Sequence, residues 1–105
     1  MKNLMNLYDN LNWENYDDYF KGTLKKVLRD EDGVRTFLLK LPAGFHMAPH
    51  SHLSAEQHFV LEGEYESREK IYKKGTYQIF AKEEEHGSFN SEKGALVLVI
   101  WDPVN

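Results

Sequence analysis

Cysteine is absent from all 105 residues. Its absence removes disulfide frameworks, thiolate zinc sites, iron–sulfur clusters and a cysteine nucleophile together. Long hydrophobic runs are missing too. The longest, Ala95 to Trp101, falls far short of the ~20 apolar residues that cross a bilayer as a helix. The opening Met1-Lys2-Asn3-Leu4-Met5-Asn6-Leu7 is broken by Asn before a signal-peptide core can form. The expectation is a cytoplasmic protein without a membrane partner. Positive charge is in deficit: thirteen Lys and Arg against seventeen Asp and Glu give a formal net charge of −4. The basic residues are scattered in ones and twos, so no nucleic-acid partner is expected. Proline is scarce, at three residues, and neither a Pro/Ser-rich linker nor an internal repeat is visible. A chain this short forms one domain. With 41% hydrophobic and 29% charged residues it folds rather than staying disordered.

What is present is a rhythm of turns. Glycines at 22, 33, 44, 63, 75, 87 and 94 separate runs rich in β-branched, aromatic and leucine residues. Those runs are Thr23–Arg29, Val34–Leu41, Phe59–Glu62, Thr76–Phe80 and Ala95–Trp101. Turn chemistry bounds them at Glu31-Asp32-Gly33, Pro42-Ala43-Gly44, Lys73-Lys74-Gly75 and Glu92-Lys93-Gly94. Many short strands at hairpin spacing predict an all-β sandwich or barrel. Ala95–Trp101 is apolar on both faces, which makes it a central strand. Its outer side is then covered by the N-terminal arm or, as favoured here, by a second subunit. The first twenty residues differ. Leu4, Leu7, Tyr8 and Leu11 keep helical spacing, but Asn and Asp dilute the stripe. The expected division is an arm or short helix over 1–20 and a barrel over 21–105.

Five histidines stand at 46, 50, 52, 58 and 86, four of them within thirteen residues. On a strand, residues i and i+2 share a face, so His50 and His52 would project side by side as a two-imidazole clamp. Glu56 follows after a short loop, and His86 closes the site from another strand. Three imidazoles and a carboxylate suit a divalent first-row metal; a His-rich surface hairpin without metal reads equally well from His-x-His alone. His58 shares the parity of Glu56 and faces inward. There it is either a general base or substrate partner, or a core histidine bonded to a neighbour. His46 reads as a rim residue. The run Lys82-Glu83-Glu84-Glu85 before His86 is either a negative mouth to the site or a solvated turn.

The pattern Gly44-x5-His50-x-His52-x3-Glu56-x6-Gly63 resembles the first signature motif of the cupin superfamily at every defined position. A second cupin motif, G-x5-P-x-G-x2-H-x3-N, is met by Gly75, His86 and Asn90, but Ala81 replaces its proline and Glu83 its glycine. Pro42-Ala43-Gly44, His50-Ser51-His52, Val60-Leu61-Glu62-Gly63-Glu64 and Gly75-Thr76-Tyr77 are similar to a small group of cupins. That group includes the cupin half of the ChrR anti-sigma factor and acetylacetone-cleaving dioxygenases. The resemblance implies a single-domain jelly-roll β-barrel, usually a homodimer. It also implies one divalent transition metal per chain (Fe, Mn, Zn or Ni), held by His50, His52, Glu56 and His86.

Two functions are compatible with that set. One is a small dioxygenase-like enzyme acting on a diketone or oxoacid, with Glu56 or His58 moving a proton. The other is a non-catalytic module that senses a metal or small molecule. The enzyme is the favoured expectation.

Overall fold

Alternating burial along Ala95–Trp101 marks the strand around which the sheet is built. The computed structural model describes residues 4–51 and 53–103, so His52 lies outside the described residues. Among the described residues there are nine strands and no helix: β1 (Trp13–Asn15), β2 (Leu24–Glu31), β3 (Val34–Leu41), β4 (Phe45–Met47), β5 (Glu56–Ser67), β6 (Lys70–Lys73), β7 (Tyr77–Phe80), β8 (Phe89–Ser91) and β9 (Ala95–Trp101). They pair antiparallel in the order β1-β2-β3-β9-β5-β8-β4, with β6 and β7 also on β5. The result is an all-β, curled antiparallel sheet.

β5 holds the barrel together. Its first half pairs with β7 and β9, its second half with β6 and β8. A register shift between Val60 and Glu62 bends the strand so that it serves both sides. Gly63 sits just past that bend at φ +71°, and a Cβ there would collide with the Gly94 carbonyl oxygen. The last glycine of the first motif therefore has a packing reason of its own.

Paired residues on neighbouring strands share a face, so the register divides the side chains. Arg35, Trp101, Glu56 and Phe80 form one row on the inner face. Phe37, Val99 and His58 form the next. These apolar residues join Leu39, Leu41, Phe45, Val60, Tyr65, Phe89 and Val97 in the core. On the outer face, Trp13, Lys26, Leu38, Leu98, Phe59 and Tyr77 make a row across six strands.

The N-terminal segment does two jobs. Residues 16–20 turn under the sheet, with Tyr19 stacked on Phe45 and Phe20 set edge-on to it, closing one side of the core. Residues 4–12 cross the outer face. There the Lys26 ammonium, 1% exposed, reaches the Asn6 carbonyl at 2.9 Å, the Asp9 carbonyl at 3.4 Å and Asp9 Oδ1 at 2.7 Å. A helix does not form over this stretch. Asn6 and Asp9 accept bonds from the amides of Tyr8 and Leu11, turns that compete with helical pairing. The spaced apolar residues Leu4, Tyr8 and Leu11 consequently remain exposed. The arm covers the β2–β3 part of the outer face, while Tyr77 and Ile79 on β7 are about half exposed, at 49% and 51%.

Candidate functional site

Glu56 opens β5, 2% exposed, and its carboxylate is where the histidines meet. Glu56 Oε2 lies 2.8 Å from His58 Nε2 and 3.6 Å from His86 Nε2. His86 is delivered by the segment between β7 and β8, and its ring stacks on Phe80 with centroids 4.3 Å apart. His50 is half-buried, its ring centroid 4.3 Å from that of His86. The two histidines exchange backbone bonds, His50 N to His86 O at 2.9 Å and His86 N to His50 O at 2.8 Å. An isolated bridge, not a regular strand, thus clamps together two segments far apart in sequence. The site is buried at His86 and Glu56 and reaches solvent at His50.

His58 occupies both of its ring nitrogens. Nε2 faces Glu56, and Nδ1 lies 2.9 Å from the Tyr65 hydroxyl. The tautomer that satisfies both bonds carries its proton on Nε2, donates to the carboxylate and accepts from the phenol. Burial, with Tyr72 and Glu56 adding to it, holds the Tyr65 phenol well above its ordinary range. Tyr19 is raised by burial and then by Glu56 and Tyr65, and Tyr16 by burial against an opposing pull from Arg35. All three phenols therefore keep their protons. Sequence reasoning missed Tyr65 at this site, because a phenol seven residues from a histidine has no spacing signature. Tyr19 was hidden in the arm.

As sources of ligands, the described residues supply His50, Glu56 and His86 from three segments. This borderline nitrogen–oxygen set has the chemistry of a divalent first-row metal site. Among the described residues, no three His, Asp or Glu side chains are disposed to hold an ion as they stand. His52, the fourth member of the expected set, lies outside the described residues. His46 is exposed on β4 and pairs its Nδ1 with Asn90 Oδ1 at 2.6 Å. Glu83, where the second motif has glycine, takes φ 65°, and Glu84 closes the turn through Ala81 N to Glu84 Oε1 at 2.9 Å. Glu83 thus holds a left-handed conformation that glycine adopts freely, at about 1–2 kcal/mol of backbone strain.

The family profile described as the ChrR Cupin-like domain matches residues 2–105. The chain belongs to that family. Three solved cupins show how the fold compares. A chain of the Rhodobacter sphaeroides complex of SigE with the anti-sigma ChrR is 22% identical at a TM-score of 0.75 over 90% of this chain. This ChrR-like domain spans 51% of that chain, about half its length. An acetylacetone dioxygenase from Acinetobacter johnsonii is 17% identical at a TM-score of 0.79, with 96% of this chain and 74% of that one covered. KdgF from Halomonas sp. is 18% identical at 0.72, with 89% and 86% covered. At these identities the likeness is one of fold. No curated protein matches the chain. Among the described residues of this ChrR-like cupin, no helix is long and apolar enough to cross a membrane.

Proposed function

We propose that this domain is a small metal-dependent enzyme of dioxygenase-like type. It holds one divalent transition metal through His50, His52, Glu56 and His86 and acts on a small diketone or oxoacid. The meeting of His86 and His58 at the buried Glu56 carboxylate, with the His50 ring set against that of His86, carries the reading. A bound redox metal supplies Lewis acidity and electron transfer toward O₂. The chain's own residues do the rest. Glu56 offers an oxygen for a proton or a metal, His58 holds a proton at Nε2 beside it, and Tyr65 fixes the tautomer from behind.

Space limits the substrate. The cavity beside Tyr19, His58 and Tyr65 measures about 10 Å³, room for one water at most. A larger groove of about 590 Å³ runs along Glu64, Glu66, Asn90 and Glu92 outside the barrel, and no histidine lines it. A ligand therefore approaches from the His50 side, where the site meets solvent. Membership of a family described by ChrR favours a second reading, a metal- or small-molecule-sensing module without turnover.

Metal analysis by inductively coupled plasma mass spectrometry separates the two. Tag-free protein purified anaerobically without chelator should carry about one Fe or Mn per chain and consume O₂ with a diketone or oxoacid. One tightly held Zn without O₂ uptake would move the assignment to the sensor. No metal, and none taken up on reconstitution, would sink the enzyme and the metal sensor and leave only the small-molecule sensor.

We also propose a homodimer through the half of the outer sheet face that the arm leaves open. Phe59, Tyr77, Ile79, Leu98 and Ile100 lie together there by register. Sedimentation equilibrium at micromolar concentration should return twice the chain mass, and a monomer would reject the assembly.

A further inference from the structure

We infer that Arg68 is a positioning residue for His86. β5 and β6 are joined by the two residues Arg68 and Glu69, flanked by the pair Ser67 and Lys70. Both turn residues have positive φ, 51° and 67°, as a type I′ turn demands. The residues suited to those positions are Asn and Gly; Arg and Glu hold them only under strain.

The Arg68 side chain has a definite target. Its Nε donates to the Gly87 carbonyl at 3.2 Å and its Nη2 to the Glu85 carbonyl at 2.9 Å. Those carbonyls flank His86. The carbonyl between them, that of His86 itself, accepts from His50 N. Three successive carbonyl oxygens are thus fixed, the outer two by one guanidinium fork and the middle one by the His50 bridge. A planar fork with several donors can span two acceptors in this way. The Glu85 carboxylate stands 3.9 Å from Nη2 and adds little at the surface.

The clamp explains how His86 keeps its place in a segment whose turn has lost the motif's proline and glycine. No regular strand holds this stretch, which touches its neighbours through an isolated bridge. Arg68 fastens it from the β5–β6 hairpin, and His50 fastens it from the other side. The value of this clamp for chemistry rests on the metal reading proposed above; the clamp itself does not.

The test uses a substitution whose purely structural effect has the opposite sign. In metal-free protein, the double variant Arg68→Asn, Glu69→Gly installs the favoured type I′ pair, so its melting temperature should hold or rise. Amide hydrogen exchange at His50 and His86 should nevertheless accelerate about tenfold or more, the loss expected for one charge-assisted bond. Amides of β3 and β9 should be unchanged. Glu69→Gly alone relieves strain but keeps the guanidinium, and should leave His50 and His86 protected. Unchanged exchange at His50 and His86 in the double variant would overturn the proposal, as would equal acceleration throughout the sheet.

Titration of Co²⁺ into metal-free protein by calorimetry gives the second readout. The double variant should bind about tenfold more weakly, the lower end of what loss of an outer-sphere partner costs a metal site. Equal affinity in both proteins would overturn the positioning role. Failure of the unsubstituted protein to bind Co²⁺ would overturn the metal reading, and exchange alone would then decide the clamp.

Discussion

His50→Ala protein is expected to emerge from purification with most of the metal proposed above gone and its β-sheet circular dichroism intact. A four-ligand divalent site is worth about 10–16 kcal/mol in apparent binding free energy. One ligand in four accounts for roughly 3 kcal/mol, or about a hundredfold in affinity. His50 is the informative position because it is half-buried and outside every named strand, so its removal leaves the sheet ladders untouched. His86 must be treated differently. It is 2% exposed and stacked on Phe80, and truncation to Ala would open a void beside the core. His86→Gln keeps most of the volume and should lose metal to a similar degree. Retention of full occupancy by both variants, measured by mass spectrometry on protein prepared in parallel, would show that the metal is bound elsewhere.

Lys26→Met should lower the melting temperature by roughly 15 °C. The ammonium meets three acceptors on the arm, as many as it has protons to donate, and lies 5.1 Å from the centroid of the Trp13 ring. Met preserves the aliphatic stem and its packing, so the substitution removes the charge and its bonds with little change in volume. Breaking a buried pair from one side costs about 3–5 kcal/mol. The lower end applies here because the Asp9 side chain is 36% exposed and water can resolvate it. About 3 kcal/mol in a domain of this size gives the stated shift, at roughly 4–8 °C per kcal/mol. The loss should appear first as exchange of amides in residues 4–12, before the sheet opens. A shift of about 3 °C or less, read by scanning calorimetry, would mean that the arm is held by something other than this lysine.

The sequence was most legible where period and turn chemistry agreed. Val34–Leu41 and Ala95–Trp101 coincide with β3 and β9 to the residue, because each is bounded by a glycine turn and apolar enough to need a central place. β5 was read only as Phe59–Glu62. It runs on from Glu56 to Ser67, since its polar second half is made a strand by β6 and β8 and not by its own composition. β4, β6 and β8 have three or four residues each. So short a segment has no period to detect, and its pairing is a tertiary fact.

At the site, the motif spacing singled out Glu56, His50 and His86. The structure sets His86 between the other two, 3.6 Å from Glu56 Oε2 and with its ring centroid 4.3 Å from that of His50, with His52 outside the described residues. His58 was legible as inward-facing from its parity with Glu56. Its engagement with Tyr65 was not, because that contact crosses the bend at Val60–Glu62. Nor was Lys26, whose neighbours on the strand say nothing of an arm seventeen to twenty residues upstream that supplies its acceptors.

The place of β9 sets an order of events during synthesis. It follows β3 and β5 in the chain yet lies between them, paired to both along its length. Until Ala95–Trp101 has left the ribosome, the hairpin of β2 and β3 and the long β5 each present a bare edge where β9 belongs. Val97, Val99 and Trp101 are also missing from the core between them. Closure then requires pairings across distant stretches of chain at nearly the same moment, which makes folding slow relative to a helical domain of equal length. During that interval the nascent chain offers two hydrophobic strand edges to any neighbour, including another nascent copy. The stage at which β5 has left the ribosome and β9 has not should therefore be the one at which this protein most depends on chaperones.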